Sequence, residues 1–430
     1  MEEQLVITLF GSGGGVAKAV LSILNHSAAD SGSPLHHQLA GSRIHCIDQH
    51  QRPFSYYSSS FPNLAGNMKL HQFDLNDSRR LSRHLQGTGT KLVIDLSWAD
   101  TVNVMSCCDK LGIAYINTAL ENQEVDDTPE LEGFTLIERS IRFEEARDNF
   151  TRMKAIVGSG MNPGVVQWMA HKLMRLHPEE RPLGCYIVEH DNTFYADPSL
   201  AAPETIYCTW SPDCFLDEAV LNYPLIASNK TPLFLYNTPY ELLFDVTLGP
   251  IQFQGCLMPH EESITLARLY GVESGFIYKV NDVTTSILRD HLDNPDVLWN
   301  WKHKLLDPAD GALSGADLVG VLLVYKDKER YMYNVTSSEA IYPLFGTNAT
   351  YWQVACGVYG ALGTLLLDSI APGVYWVDEL LEEYGQDCHY GDYLSYYMSE
   401  FVTGSNDQSQ GLLLARMHEW TEGEDDSYGG

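Results

Sequence analysis

A strand-like run that breaks into a cluster of glycines near the start of the chain constrains the fold more than any other feature. Residues 5–10 (LVITLF) lead into residues 11–16 (GSGGGV), and an apolar helix pattern follows over residues 17–24. Such a turn lets the backbone approach a pyrophosphate at the positive end of the next helix, although it also serves simply to close a strand–helix corner. The sequence predicts a dinucleotide-binding turn at Gly11, Gly13, Gly14 and Val16, with Val16 where the usual motif has its third glycine.

The next strand supports this interpretation because it ends in an acid. Residues 43–47 are strand-like and lead to Asp48, whose carboxylate would accept hydrogen bonds from ribose hydroxyls and repel a 2'-phosphate. This favours NAD over NADP. The spacing from the turn exceeds the usual gap of about 20 residues, and we interpret the polar residues 25–41 as a surface loop that accounts for the excess. Asp48 also fits an ordinary turn residue at a strand end.

Composition limits the class of protein. The chain has 430 residues, enough for two or three domains, and no apolar run of the roughly 20 residues that span a bilayer. The first residues lack the basic segment of a signal peptide, so we expect a cytoplasmic protein without a membrane partner. Nine scattered cysteines without a C-x-x-C pair indicate reduced thiols and predict neither disulfides nor a metal site.

The charge of the chain is strongly acidic. Lysine and arginine total 27 against 57 acidic residues, a formal net charge of -30. This charge would repel a phosphate backbone, so nucleic acid is excluded as a partner. An acidic surface concentrates small cations such as amines, but it is equally typical of a solubility device.

Strands alternate with helical segments through the first part of the chain, which predicts a Rossmann-type, doubly wound parallel sheet and an α/β fold. Strand-like runs at residues 91–96, 114–117 and 154–157 are each followed by polar or glycine-rich residues. Ligands of such sheets bind beyond the carboxyl ends of the strands. We therefore expect a cofactor, and its substrate, near Asn117, Thr118, Glu121, Asn162 and Pro163.

Composition changes after the parallel-sheet segment. From about residue 184 to 326 the strand-like runs are rich in aromatic residues and separated by turns, which predicts a second, α+β domain with a mixed sheet. Residues 351–368 return to helix periodicity and are expected to lean back on the first domain. We predict an NAD-binding domain at residues 1–165, a substrate-binding and dimerisation domain at 166–346, a helical part at 347–420 and an acidic tail at 421–430.

Four residues of the second domain suggest a receptor for a cation. Taken singly, a strand-end glutamate is usually solvated, a lone tryptophan usually lies in the core, and a histidine among polar residues is usually structural. Together, carboxylates around an aromatic face would bind a diammonium compound, through charge-assisted hydrogen bonds and attraction of the cation to the indole. The residues are Glu189, Trp210, Glu218 and His260.

Over most of its length the chain resembles bacterial homospermidine synthases, within the saccharopine dehydrogenase-like superfamily. No one motif is decisive, but their order and approximate spacing agree. The segments that carry the resemblance are FGSGG at residues 10–14, DLS at 95–97, NTALE at 117–121, GMNPGVV at 160–166, VEHD at 188–191, TWS at 209–211, HEESI at 260–264, SE at 338–339 and NATYWQV at 348–354.

The resemblance implies a homodimer that holds NAD as a recycled group and joins two putrescines into homospermidine, with spermidine as a further substrate. One diamine is oxidised to an imine, the second attacks it, ammonia leaves, and the new imine is reduced, so that no net redox occurs. Glu189, Glu218 and Glu121 match acidic residues of the amine pocket, and Trp210 matches the aromatic that stabilises the cation. Asn162 and His260 match polar residues near nicotinamide and substrate, and Asp95, Leu96 and Ser97 match the cofactor-binding strand end.

Departures from the family pattern leave two other functions open. Asn122-Gln123 replaces the usual Pro-Trp after Glu121, and the segment from Trp210 to Glu218 differs from the common form. A saccharopine-, opine- or carboxyspermidine-type dehydrogenase would perform net reductive amination and needs a cation for a substrate carboxylate, for which Arg268, Lys279 and Lys230 are candidates. The third possibility is a nucleotide-binding sensor without catalysis. His190 or a carboxylate would act as the base in the catalytic cases.

Overall fold

The computed structural model describes residues 4–421 of the chain, and its first part is built on parallel strands. The strands of this part are β1 (Val6–Phe10), β2 (Arg43–Asp48), β3 (Met68–Gln72), β4 (Leu92–Asp95), β5 (Ala114–Asn117) and β6 (Lys154–Val157). Its helices are α1 (Gly15–Ala29), α2 (His36–Leu39), α3 (Phe54–Ser60), α4 (Pro62–Ala65), α5 (Ser78–Thr88), α6 (Thr101–Leu111), α7 (Gln123–Asp126), α8 (Thr135–Arg147) and α9 (Val165–Leu176).

The middle of the chain is mostly strand. Its strands are β7 (Gly184–Asp191), β8 (Phe194–Tyr195), β9 (Thr205–Cys208), β10 (Leu225–Ser228), β11 (Thr231–Phe234), β12 (Leu242–Leu248), β13 (Ile251–Met258), β14 (Glu273–Lys279), β15 (Lys302–Leu305), β16 (Leu313–Ser314), β17 (Asp317–Val324) and β18 (Glu329–Thr336). Its helices are α10 (Pro212–Leu216), α11 (Glu261–Tyr270) and α12 (Asp282–Asp290), and a π-helical turn (Asp217–Leu221) follows α10 directly.

The last part mixes helices with three strands. In chain order it contains α13 (Ser338–Phe345), α14 (Ala349–Leu367), β19 (Gly373–Trp376), α15 (Val377–Tyr384), α16 (Tyr390–Ser395), β20 (Phe401–Asn406) and β21 (Met417–Glu419). The acidic tail expected at residues 421–430 falls outside the described residues except for Thr421. No helix among residues 4–421 combines the length and apolar character needed to cross a bilayer.

The first sheet has seven parallel strands in the order β19-β6-β5-β4-β1-β2-β3. Six of them follow the strand order of a dinucleotide-binding fold. Side chains of α1 and α14 pack on one face of the sheet, and those of α5, α6 and α8 pack on the other. The predicted Rossmann-type, doubly wound sheet is therefore confirmed.

Local sequence explains why two of these helices begin and end where they do. Asp77 caps α5 by accepting a hydrogen bond from the Arg80 backbone N–H at 3.0 Å, and Asp100 caps α6 by accepting one from Asn103 at 2.7 Å. Each helix then ends at a left-handed glycine, Gly89 or Gly112, a conformation that costs glycine little.

The surface loop expected over residues 25–41 is only partly a loop. Helix α1 continues to Ala29, and His36–Leu39 forms α2. The prediction is wrong for these stretches because Ala28, Leu35 and Leu39 are buried against the core, and burial of apolar side chains outweighs the polar composition between them.

The second sheet is mixed, as predicted. Its main path runs β20-β18-β17-β7-β14-β13-β12-β21, and the hairpin of β10 and β11 attaches to β14. Strands β7 and β14 run parallel, and the other pairings are antiparallel. The carboxyl end of β7 carries Glu189 towards the first domain.

The last part of the chain joins both sheets. Strand β19 extends the parallel sheet beside β6, while β20 and β21 occupy the two ends of the mixed sheet's main path. Helix α14 packs so closely on the loop after β6 that a Cβ at Gly357 would lie 1.9 Å from the carbonyl oxygen of Gly160. This contact fixes the loop that bears Asn162.

Candidate active site

A cleft of about 720 Å³ lies between the carboxyl edge of the parallel sheet and the mixed sheet. Among the residues predicted to contact the cofactor or the amine, Gly11, Gly13 and Asp48 do not line the cleft, whereas all the others do. Those that line it are Gly14, Val16, Asp95, Leu96, Ser97, Asn117, Thr118, Glu121, Asn162, Pro163, Glu189, Trp210, Glu218 and His260. The structure thus brings the nucleotide turn and the acidic residues of the second domain into one cavity.

The glycine turn has the shape of a dinucleotide cradle. Gly11 has a positive φ of 66°, and a Cβ there would lie 2.2 Å from the Leu96 carbonyl oxygen. Asp48 stands behind the turn, with Oδ2 accepting a hydrogen bond from the Gly13 N–H at 2.8 Å and Oδ1 accepting one from the His50 N–H at 2.7 Å. The N-terminus of α1 faces the cleft, where its backbone N–H groups attract a pyrophosphate. The residues present fit a dinucleotide.

Two polar residues at strand ends shape the loops of the cleft. Asp95 accepts hydrogen bonds from the Ser97 backbone N–H (3.1 Å) and hydroxyl (2.6 Å) and from the Tyr115 hydroxyl (3.0 Å). Burial raises the pKa of Asp95 to about 6. Asn117 accepts a hydrogen bond from the Gly158 N–H at 2.9 Å, so both side chains hold the backbone on which a cofactor would rest.

The surroundings of three glutamates in the cleft raise their pKa and so disfavour the ionised form. Burial, with Asp317 and Asp191 nearby, raises the pKa of Glu189 well above its usual value, and Asn162 Nδ2 donates to Glu189 Oε2 at 2.6 Å. Burial raises the pKa of both Glu121 and Glu218 to about 8. Oε2 of Glu218 is buried and has no hydrogen-bond partner within the described structure. A cationic ligand would supply the partner that this oxygen lacks.

His260 is one of the two basic side chains that line the cleft. It stands at the N-cap of α11, and its Nδ1 is hydrogen-bonded to Glu262 and lies 3.7 Å from Glu261. Burial disfavours charge on the ring, but Glu262 and the neighbouring carboxylates more than offset this and raise its pKa to about 10. Since the ring carries its proton at neutral pH, we expect it to orient groups rather than to accept a proton.

Trp210 is held by its neighbours so that it lines the cleft. Its Nε1 donates to the Tyr278 hydroxyl at 3.2 Å, and its ring meets that of Phe215 edge-on at 5.9 Å. With the polar edge of the indole satisfied inside the protein, the ring offers a π-face to a cation in the cleft.

A pair of buried aspartates behind Glu189 is bridged by two threonines. Asp191 and Asp317 are register partners on β7 and β17. The hydroxyl oxygen of Thr350 lies 2.6 Å from Asp317 Oδ2 and 2.8 Å from the hydroxyl oxygen of Thr209. The Thr209 oxygen in turn lies 2.5 Å from Asp191 Oδ2. Three such contacts need three hydrogens, and the two threonines supply two. Burial raises the pKa of both carboxyl groups, and a proton on one of them would supply the third hydrogen.

Several residues weighed from the sequence lie elsewhere. His190 alternates with Glu189 along β7, so it lies on the other face of the sheet, where it stacks on Phe253 at 5.0 Å. It does not line the cleft, and a role as base is wrong for it. Arg268 pairs with Glu379 at 2.7 Å, and neither it, Lys279 nor Lys230 lines the cleft.

The structure adds lining residues that the sequence did not single out. Arg139 of α8 lies in the cleft and pairs with Asp126 at 2.7 Å and with Asp217 at 3.4 Å. Trp98 stands at the cleft with 61% of its surface exposed. Trp98 directly follows residues 95–97 (DLS), which the sequence predicts to contact a cofactor, and this position was a usable signal. Arg139 lies in a helix without a motif.

Acidic side chains outnumber basic side chains in the lining of the cleft. Its basic lining residues are Arg139, already paired, and His260, bonded to a carboxylate. Eight carboxyl side chains line it: Asp95, Glu121, Asp126, Glu189, Asp213, Asp217, Glu218 and Glu261. Such a cavity favours a cationic ligand over an anionic one.

No family model matches the sequence, and no curated protein matches it at the significance required. The structure is similar to apo saccharopine dehydrogenase (L-Glu forming) from Saccharomyces cerevisiae, at 12% identity and a TM-score of 0.56 over 93% of this chain and 100% of that one. GenD2 from gentamicin A biosynthesis, solved with NAD, overlaps 76% of this chain and 71% of its own at 10% identity and a TM-score of 0.31. The first of these likenesses shows that the chain has the fold of that saccharopine dehydrogenase.

Proposed function

We propose that the protein is an NAD-dependent homospermidine synthase that transfers an aminobutyl group from one putrescine to another and releases ammonia. The observation that carries the proposal is the acidic cleft beside the dinucleotide turn, with the partnerless Oε2 of Glu218 in it. A diammonium substrate would satisfy that oxygen and offset the excess of carboxylates. The resemblance in sequence order supports the specific reaction.

The chain's own residues would bind, orient and deprotonate the amines. Bound NAD supplies hydride acceptance and return, which side chains do not. Glu121, Glu189 and Glu218 would hold ammonium groups, and the face of Trp210 would stabilise positive charge on the reacting nitrogen. Attack requires a neutral amine, and Glu218, whose pKa burial raises to about 8, would accept its proton in those molecules in which the carboxyl group is ionised, a fraction that grows as the pH rises towards 8.

Mass spectrometry tests this proposal directly. The protein is incubated with putrescine deuterated at both amine-bearing carbons and with a catalytic amount of NAD. We expect homospermidine and ammonia to exceed the NAD added, with all deuterium retained in the product because the hydride that leaves the substrate returns to it. Loss of deuterium to the NAD pool, with product limited to the NAD supplied, would contradict a redox-neutral cycle. Absence of turnover with NAD bound would favour the sensor.

Arg139 favours a second candidate, a dehydrogenase of the saccharopine, opine or carboxyspermidine type. Its guanidinium in the cleft is the kind of group that holds a substrate carboxylate. Its ion pairs with Asp126 and Asp217 occupy it, so a carboxylate would have to compete with both. The two candidates differ in stoichiometry, since this one consumes one NADH for each product.

Glu121 and Glu218 give diamine binding a definite pH dependence. Burial raises the pKa of each to about 8 in the free protein, so both are largely neutral below that pH and charged above it. Because the carboxylates attract the diammonium, the Kd for putrescine should fall by up to about tenfold per pH unit per group as the pH rises from about 6 to about 8. Calorimetry in two buffers of different ionisation enthalpy should show proton release on binding. A pH-independent Kd without proton release would contradict the assignment.

Asp48 is expected to set the preference for NAD. Asp48→Asn replaces one of the two accepting oxygens by an amide and removes the charge, so the Kd for NAD should rise about tenfold and the discrimination against NADP should shrink. Fluorescence titration with each nucleotide measures both effects. Asp127→Asn, at an exposed position, is the control and should change neither. Equal effects of the two substitutions would contradict the role of Asp48.

A further inference from the structure

Three histidines outside the cleft come together on the parallel sheet. His45 lies on β2, His71 on the edge strand β3 and His84 on α5. Each offers one ring nitrogen to a group whose atoms all lie within 4.8 Å of one another. The residues are distant in sequence, so the fold alone assembles them.

The contacts within the cluster are short and incomplete. His45 Nδ1 lies 2.8 Å from His71 Nε2, and the rings of His71 and His84 meet edge-on at 4.5 Å. The ring nitrogens His45 Nε2 and His84 Nε2 are buried and have no hydrogen-bond partner in the described structure, and His45 is 97% buried, with 3% of its surface exposed. Burying a polar atom without a partner destabilises a protein, and an ion bound between the rings would give His84 Nε2 the partner that it lacks.

The chemistry of the donors defines the class of that ligand. Three imidazoles without a thiolate suit a divalent transition metal such as Zn²⁺ or Cu²⁺, with an open position for water. Metal–nitrogen bonds of about 2.0–2.1 Å place tetrahedral nitrogens roughly 3.3 Å apart, so His45 Nδ1 and His71 Nε2, which lie 2.8 Å apart, would separate slightly to bind one ion. An imidazole binds a metal through a nitrogen that carries no proton, and each of the three rings can offer one.

We propose that His45, His71 and His84 form a binding site for one divalent transition-metal ion, which ties the two edge strands of the parallel sheet to α5. The positive charges of Lys69 and Arg80 lie near the histidines and disfavour binding of a cation, whereas the net charge of -30 on the whole chain favours it. Because β2 ends at Asp48, three residues after His45, the ion would also stiffen the strand that supports the glycine turn. The proposal does not depend on the proposed function.

Calorimetry and electron paramagnetic resonance on the full chain test the site. After treatment with EDTA and removal of the chelator, titration with ZnCl₂ should show one equivalent bound per chain and a rise in the melting temperature. One equivalent of Cu²⁺ should give a spectrum with hyperfine coupling to three nitrogens. His84→Gln should remove one coupling and weaken Zn²⁺ binding more than the about 10- to 100-fold that loss of an outer-sphere partner costs.

Two controls separate this site from other binding. His50→Gln changes an exposed histidine of the same domain and should leave the affinity unchanged. Glu261→Gln alters the His260–Glu261–Glu262 group of the cleft, and this variant should still bind one equivalent of Zn²⁺ per chain. If His84→Gln folds poorly, His71→Gln on the edge strand replaces it. Absence of Zn²⁺ binding, or binding that survives both His71→Gln and His84→Gln, would overturn the proposal.

Discussion

Glu218→Gln should lower kcat/KM for putrescine by about a thousandfold while NAD stays bound, because it removes a charge that stabilises the cationic transition state in a desolvated cleft. The glutamine keeps the size of the side chain but supplies neither a carboxylate for the ammonium nor a proton acceptor. The measurements are steady-state kinetics with putrescine and a separate NAD titration. Glu130→Gln, at an exposed position, should behave like the unaltered protein. Parallel loss of turnover and NAD binding would contradict the assignment and show that Glu218 supports the fold.

The same substitution should stabilise the protein at alkaline pH. Burial raises the pKa of Glu218 to about 8, whereas in the unfolded chain the group ionises near its usual value of 4.5. Between these two pH values the folded state binds more protons than the unfolded state, so the free energy of unfolding falls as the pH rises. The loss of stability caused by ionising Glu218 is complete above pH 8. Glu218→Gln should therefore raise stability at about pH 8.5 by roughly 1–3 kcal/mol and change it little near pH 4. Urea denaturation at both pH values measures this.

Gly357→Ala should be among the most damaging substitutions in the chain, at about 3 kcal/mol or more of lost stability. The added methyl would lie 1.9 Å from the Gly160 carbonyl oxygen. Because the methyl is fixed to the backbone of α14 and its neighbour is a backbone oxygen, neither can rotate away, and α14 and the loop at residues 158–164 must separate. That loop carries Asn162, the donor to Glu189, so turnover should fall as well. Urea denaturation and kinetics of the same preparation measure both losses.

Gly87→Ala is the matched control because it makes the same change in another helix. Gly87 lies in α5, and a Cβ there would meet nothing within 4 Å. Alanine is the better helix former, so this variant should gain about 0.5–1 kcal/mol. Losses of similar size at both positions would mean that helix propensity, not the contact with Gly160, governs the effect.

Local patterns in the sequence were sufficient to predict the parallel sheet and most of the site. The glycine turn and the strands ending at Asp95 and Asn117 are readable because period and turn chemistry act over a few residues. To predict that four residues of the second domain meet in one site, the order of the motifs along the chain was needed as well. These residues are Glu189, Trp210, Glu218 and His260. Their roles remain predictions until the experiments above are done.

What the sequence could not show depends on contacts between distant segments. Nothing near Gly373 indicates that β19 joins the parallel sheet, since that pairing follows from how α14 crosses the sheet's face. The same holds for the position of Arg139 in the cleft and for the pairing of Asp191 with Asp317, which arises from strand register. His45, His71 and His84 have no motif spacing, and their proximity is likewise a product of the fold.

The late position of β19 has a consequence for synthesis on the ribosome. When β6 has emerged, the parallel sheet still lacks its seventh strand, and the edge of β6 stays open until residues 373–376 have been made. An open edge is a template for pairing with other chains. The nascent parallel sheet therefore stays in an aggregation-prone state while β7 to β18 are translated, and a premature stop before residue 373 would release a chain that cannot leave it.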